Sequence, residues 1–239
     1  MNTIKFSKEN TLVIAHRGLS GIETENTCAA FTAAGNRSYY GIETDIHRTA
    51  DGKFVTIHDG DLKRVAQVDI DIENSTLEEI QKVVLFDKSG DKNRTDLRVG
   101  TLENYISICK KYSKHAVLEL KSEFTDQETA KIINIIEDFK YLENVTFISF
   151  SYENLLKIRK ILPKQSVQFL FSNFTDEIIK KVIADKMDVD VNFNALTHDN
   201  IEFLHEMCIK VNCWTVDNKN DAEQLAKWGV DFITTNILE

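Results

Sequence analysis

Glu43 and Asp45 stand two residues apart in GIETDI (41–46), and Glu119 and Lys121 repeat that spacing in HAVLELK (115–121). In an extended chain side chains alternate between faces, so each pair projects from one face. Like charges side by side cost free energy unless a positive group lies between them. Three carboxylates from two strands suit a hard divalent cation, which prefers oxygen ligands. The same spacing also suits salt bridges to Arg17 and Lys121, and spacing alone leaves both readings open. His16 and Arg17 follow a short apolar run, and His58 lies near the end of DGKFVTIHD (51–59). Imidazoles titrate where acid–base catalysis is useful, and arginine offers a planar fork to an oxyanion. A cation, two proton shuttles and an anion clamp outline phosphoester chemistry.

Such residues act together only if the fold gathers strand ends. Eight strand-like runs recur: TLVIAH (11–16), GIETDI (41–46), HAVLEL (115–120), VTFISF (145–150), SVQFLF (166–171), DVDVNF (188–193), KVNCWTV (210–216) and DFITT (231–235). Amphipathic stretches with apolar residues at three- and four-residue steps lie between them. Alternating strands and helices predict a parallel sheet, and eight strands are the number that closes a (β/α)₈ barrel, with an open doubly wound sheet as the alternative. Barrel enzymes carry their chemistry at the C-terminal strand ends, where His16, Arg17, Glu43, Asp45, Glu119 and Lys121 fall. Residues 60–100 are an insertion between the second strand and its helix. Asp51–Gly52 predicts a tight turn before it, and Asn26 and Thr101 read as helix starts. The chain stops soon after the eighth strand, so the last helix is short, absent or replaced.

At 239 residues with 42% apolar content, the chain reads as one domain, residues 1–239, that buries roughly 70% of its unfolded surface without disulfides. A net charge of −9 with no basic stripe argues against a nucleic-acid partner. Cys28, Cys109, Cys208 and Cys213 form no CxxC pair and read as buried thiols of a reducing compartment. The N-terminal apolar run, residues 12–15, is too short for a signal core or a membrane span; the expectation is a cytoplasmic protein without stable membrane association. DIDIE (69–73) reads as a solvated strand face in the insertion, and in DVDVN (188–192) and the residues after it Asn192 or Asn194 could reach the barrel mouth. His47, His115, His198 and His205 have no evident partners and read as packing or surface residues.

AHRGLSGIETENTCAAFTAA, GIETDIHRTADGKFVTIHD, LELK, WTVDN and GVDFITTN, in that order, resemble the glycerophosphodiester phosphodiesterase family from about Val13 to Asn236. The resemblance implies a (β/α)₈ barrel that hydrolyses a small-molecule glycerophosphodiester to glycerol 3-phosphate and an alcohol. By matching motif it implies His16 and His58 as the acid–base pair, and Glu43, Asp45 and Glu119 as ligands of one divalent cation, Mg²⁺ or Ca²⁺. It also implies Arg17 and Lys121 near phosphate, Trp214 lining the pocket, and the insertion as a cap over the mouth. Three departures stand out: Thr24 where the family usually has Pro before ENT, Gly100–Thr101 where it usually has Pro–Thr, and Thr235 and Asn236 where it often has Asp–x–Pro. Two other readings compete. A lipid phosphodiesterase of the phospholipase D or sphingomyelinase D kind would show an apolar or aromatic lip, and a barrel that only binds a phosphorylated ligand would lack one of the five His and acidic residues.

Overall fold

The computed structural model describes residues 2–239. The chain runs through β1 (Leu12–Ala15), α1 (Cys28–Gly35), β2 (Gly41–Arg48), β3 (Phe54–Thr56), α2 (Lys63–Ala66), α3 (Leu77–Gln81) and β4 (Gly100–Thr101). It continues with α4 (Leu102–Tyr112), β5 (His115–Leu120), α5 (Asp126–Asp138), β6 (Val145–Ser149), α6 (Tyr152–Ile161) and β7 (Ser166–Phe171). Last come α7 (Asp176–Asp185), β8 (Asp188–Asn192), α8 (His198–Glu206), β9 (Val211–Trp214), α9 (Lys219–Trp228) and β10 (Phe232–Thr235).

Eight of these strands pair in parallel in the order β1-β10-β9-β8-β7-β6-β5-β2, and β1 also pairs with β2, which closes the sheet into a (β/α)₈ barrel. All eight lie on the predicted runs. Closure removes sheet edges and turns each period-two alternation into an inside and an outside. Ile14, Val117, Ile148 and Leu170 pack inside the lumen with Trp214 and Phe232. Phe31, Ile42, Tyr105, Leu118, Phe147 and Val189 belong to the larger core between the strands and the helices.

The helices start where local chemistry allows. Thr101, Thr125 and Thr76 form capping boxes with Asn104, Glu128 and Glu79, which satisfy otherwise orphaned N–H groups. Asn26 corrects the sequence reading. Thr27, not Asn26, caps α1, and Asn26 takes a left-handed backbone at φ 56° for a purpose that belongs to the site.

β2 runs through the Asp51–Gly52 turn, with Gly52 at φ +67°, into the antiparallel β3, which pairs in turn with β4. The insertion between β3 and β4 has its own small core of Ile57, Leu62, Ala66, Ile72, Ile80, Leu85 and Leu97. Within it, Asp69 and Asp71 are exposed as expected, but the segment makes only an isolated bridge, Asp61 to Asp71, in place of a strand. Thr24, at the unusual position before ENT, donates from Oγ1 to the Phe86 carbonyl at 2.7 Å, a tie to the insertion that proline cannot make. No helix follows β10: Leu238 bridges to Ile4, and the Glu239 carboxylate accepts from Thr3 and Ser38.

The four cysteines are free, and they differ from the buried set expected: Cys109 and Cys213 are buried, Cys28 is half-buried and Cys208 is exposed. Among the described residues no helix is long and apolar enough to cross a membrane.

Candidate active site

His16 leaves β1 into a turn in which Arg17 and Gly18 both have positive φ, 55° and 75°. A Cβ on Gly18 would sit 2.6 Å from the backbone carbon of Ala30, so only glycine lets the turn press against α1. Arg17 has no such freedom, and a non-glycine residue in this region costs on the order of 1–3 kcal/mol. The turn aims two backbone donors at one acid: the Arg17 N–H reaches Glu43 Oε2 at 2.8 Å and the Gly18 N–H reaches the Glu43 carbonyl at 3.2 Å.

On β2 and β5 the parallel register sets Asp45 beside Glu119. Glu43, Asp45 and Glu119 are all buried, and each offers an oxygen within 4.8 Å of the others. Lys121 Nζ lies 3.0 Å from Glu119 Oε1 and 3.8 Å from Asp45 Oδ1, while Arg17 Nε lies 3.4 Å from Asp45 Oδ2. Asn26 explains its own backbone here: Nδ2 donates to Asp45 Oδ2 at 2.8 Å, and Oδ1 accepts from Thr44 Oγ1 at 2.6 Å. A hydrogen bond to a charged group contributes about 1.5–3 kcal/mol, enough to offset a strained φ.

Burial raises all three carboxyls, but their surroundings then separate them. At Asp45 the charges of Arg17, His58 and Lys121 and the Asn26 bond overcome burial and hold the group below the usual carboxylate range. Glu43 is pushed up by burial, then by Asp45 and Glu119. Glu119 is pushed up by burial and Asp45 despite Lys121.

The two histidines differ in what holds them. His16 Nδ1 meets Asn236 Oδ1 at 2.8 Å, and Asn236 Nδ2 donates to Asp217 Oδ2 at 2.6 Å. The Asp217 carboxylate fixes the amide's orientation, so His16 carries its proton on Nδ1 and turns the Nε2 lone pair to the cavity. Burial and then the Arg17 charge lower the His16 pKa. His58 Nδ1 instead meets a carboxylate, Asp59 Oδ1, at 2.7 Å. Arg64 of α2 donates to Asp59 Oδ2 at 2.6 Å and to both oxygens of Glu25, and Glu25 accepts from Arg17 at 2.9 Å. Against the cost of burial, the bonds from Arg64 and His58 hold Asp59 low, hence charged. The bond to Asn236 raises the His16 pKa against its burial. Asn236→Ala is therefore expected to move the acidic limb of the kcat/KM profile downward; an unmoved limb would refute the contact's influence.

His16, Arg17, Glu43, His58, Glu119, Lys121 and Trp214 line one cavity of about 110 Å³, and Asp45 joins it through its contacts with Arg17, Lys121 and Glu119. All eight predicted site residues thus converge. The arrangement also uses Glu25, Asn26, Asp59, Arg64, Asp217 and Asn236, to which sequence reasoning assigned no role in the site; Glu25, Asn26 and Asp59 lay inside the quoted ENT and HD motifs and Asp217 and Asn236 inside WTVDN and GVDFITTN, while Arg64 had no local signal. Asn192 and Asn194 do not line this cavity; Asn192 Oδ1 accepts from the Asn194 backbone and side-chain N–H groups in a local turn. Asp190 of the same strand lines the cavity instead, its pKa pushed up by burial and then by the Glu119 charge. His47, read as a packing residue, has one partner that matters: Nε2 lies 3.1 Å from the His58 carbonyl.

The sequence profile of the Glycerophosphoryl diester phosphodiesterase family matches residues 16–239. The chain is 30% identical over 229 residues to the glycerophosphodiester phosphodiesterase of Caldanaerobacter subterraneus subsp. tengcongensis, covering 95% of this chain and 94% of that protein. It is 26% identical to the glycerophosphodiester phosphodiesterase of Bacillus subtilis, covering 96% and 85%. Its fold superposes with a TM-score of 0.87, at 23% identity and over 94% and 92% of the two chains, on an Oleispira antarctica phosphodiesterase solved with its product sn-glycerol-3-phosphate. With the profile spanning nearly the whole chain and both histidines and all three acids in one cavity, the chain belongs to the glycerophosphoryl diester phosphodiesterase family.

Proposed function

We propose that this chain is a divalent-cation-dependent glycerophosphodiester phosphodiesterase that releases glycerol 3-phosphate and an alcohol, with His16 and His58 as its proton carriers. The observation that carries the reading is the convergence of two differently held histidines, three buried acids, Arg17 and Lys121 on one small cavity.

The donor set fits a hard cation. Three buried carboxylates face only Lys121 and an Arg17 already shared with Glu25, so their negative charge is under-compensated, as the raised Glu43 and Glu119 report. Oxygen-only donors match Mg²⁺ or Ca²⁺, held by Glu43, Asp45 and Glu119. When bound, such a cation supplies Lewis-acid polarisation of a phosphoryl oxygen and eases deprotonation of a neighbouring hydroxyl.

The remaining work falls to side chains. His16, neutral and with Nε2 free, takes the proton of the glycerol hydroxyl next to the phosphorylated carbon as that oxygen attacks phosphorus. His58, whose Nδ1 is held 2.7 Å from Asp59 Oδ1, gives a proton to the departing alcohol oxygen. The resulting cyclic phosphate is opened by water, with His58 now taking and His16 returning a proton. Arg17 and Lys121 stabilise charge on the phosphoryl oxygens.

A glycerol 3-phosphate release assay over a panel of glycerophosphodiesters, with and without chelator, tests this. Release that is lost on chelation and restored by Mg²⁺ or Ca²⁺ is expected. Undiminished turnover after metal stripping would refute the cation, and no release from any substrate would refute the activity. The lipid reading has weaker support: of the large exposed apolar side chains among the described residues, only Phe150 borders the cavity, and one ring does not make a lip.

A further inference from the structure

The cavity is asymmetric in a way that the phosphoryl chemistry leaves unused. Counting round the closed sheet, β8 is four strands from β2 in either direction, directly across the lumen from Glu43 and Asp45. Away from the histidines, the acids of β2 and β5, Arg17 and Lys121, the lining is Ile148, Phe150, Leu170, Trp214, Thr215 and Thr234, with one acid, Asp190. Asp190 is 1% exposed, yet its Oδ1 has no hydrogen-bond partner among the described residues.

Its polar neighbours are spoken for. Asn212, which pairs with Asp190 in register on β9, donates from Nδ2 to Gln168 Oε1 of β7 at 3.1 Å and accepts from Thr234 of β10 at 3.2 Å. That bridge spans β8 and passes Asp190 by. Buried polar groups are rarely left without partners, and an orphan that faces a cavity marks a place where a ligand supplies one.

The size of the space restricts which part of a substrate can reach it. About 110 Å³ is a few times the roughly 30 Å³ share of one water, room for a handful of heavy atoms. A variable alcohol group must leave through the mouth, beside Phe150. The glycerol unit is small enough to enter, and it brings one hydroxyl more than the attack on phosphorus consumes. Among Ile148 and Leu170 that spare hydroxyl would be buried without a partner.

We propose that the Asp190 carboxyl binds the free terminal hydroxyl of the glycerol unit and thereby makes the enzyme selective for glycerol over a diol that lacks it. The proposal rests on the glycerophosphodiesterase reading above and deepens it: the cation and histidine side of the cavity handles phosphorus, and the Asp190 side recognises the polyol.

The test compares kcat/KM for sn-glycero-3-phosphocholine with that for the analogue whose terminal CH₂OH is CH₃, which keeps the attacking hydroxyl. The wild-type protein is expected to prefer the glycerol compound roughly ten- to hundredfold, the range for a hydrogen bond to a charged or strongly polar group. Asp190→Leu is expected to bring the ratio to within about threefold of unity, chiefly by losing the glycerol substrate. Asp190→Asn, which still bonds a hydroxyl, is expected to retain most of the preference. Should the leucine variant not fold, Asp190→Val provides the same comparison with a smaller side chain. A preference unchanged in a folded, active leucine or valine variant, or a wild-type ratio near one, would overturn the Asp190 assignment alone. Absence of turnover on every glycerophosphodiester would instead overturn the reading on which it rests.

Discussion

Glu43→Gln is expected to stabilise the cation-free protein at pH 8 while lowering turnover about 10³-fold. Both effects have one origin. Glu43 is buried beside Asp45 and Glu119, which push its pKa well above the ordinary carboxyl value. For a carboxyl raised in the folded state, the unfolded chain releases the proton first as pH climbs, so stability falls between the unfolded pKa, about 4.3, and the folded one. Glutamine cannot ionise, and its side-chain oxygen can still accept the Arg17 N–H. Relief of a buried charge conflict of this kind amounts to about 1–3 kcal/mol. In a chain of this size that is a rise of about 2–12 °C in Tm, present at pH 8 and vanishing towards pH 4. A bound cation reverses the balance, because it needs the charge. In the wild-type protein, cation at 100 times its Kd adds about 2.7 kcal/mol of stability, and the variant loses most of that gain along with several kcal/mol of transition-state stabilisation. Thermal melts at pH 4 and 8, each with chelator and with Mg²⁺ or Ca²⁺, read out both signs. A chelated variant that melts lower than wild type at pH 8 would refute the crowded-acid account.

His16→Ala and His58→Ala are each expected to cost about 10²–10⁴-fold in kcat/KM on an alkyl glycerophosphodiester, and the leaving group distinguishes them. In the proposed mechanism His58, held by Asp59 at 2.7 Å, gives the proton to the departing alcohol. A nitrophenolate needs no proton, so a glycerophosphodiester with nitrophenol as its alcohol restores most of the rate to His58→Ala and little to His16→Ala. The pH profile gives a second readout: if His16 is the base, its loss removes the acidic limb. Rescue of His16→Ala in place of His58→Ala would exchange their roles.

The insertion contributes more than a cover. Arg64, from its first helix, joins Asp59 to Glu25 and so links the support of His58 to that of Arg17. Insertion and barrel therefore share one charge network, which ties the placement of His58 and of the Arg17 guanidinium to the seating of residues 57–99.

What the sequence by itself determined is whatever repeats at short range. Alternation placed Glu43 with Asp45 and Glu119 with Lys121, and the eight apolar runs are the eight barrel strands, because side-chain period is a property of a few consecutive residues. The HRG, E-x-D, HD, LELK and WTVDN motifs carried the eight site residues for the same reason. The tertiary structure decided everything that depends on which strand lies across from which. Asp190 lies in an alternation whose reach to the barrel mouth was read on Asn192 or Asn194, and only closure of the barrel turns Asp190 towards the cavity opposite Glu43. Asn26 looked like a helix cap, but Thr27 caps the helix and the Asn26 amide holds Asp45 from a left-handed backbone, a conformation asparagine tolerates better than most residues. Asn236 and Arg64 distinguish the two histidines from positions 220 residues after His16 and six after His58. Partners separated along the chain leave no periodic trace, and it is their packing that sets an amide beside one imidazole and an Arg64-held carboxylate beside the other.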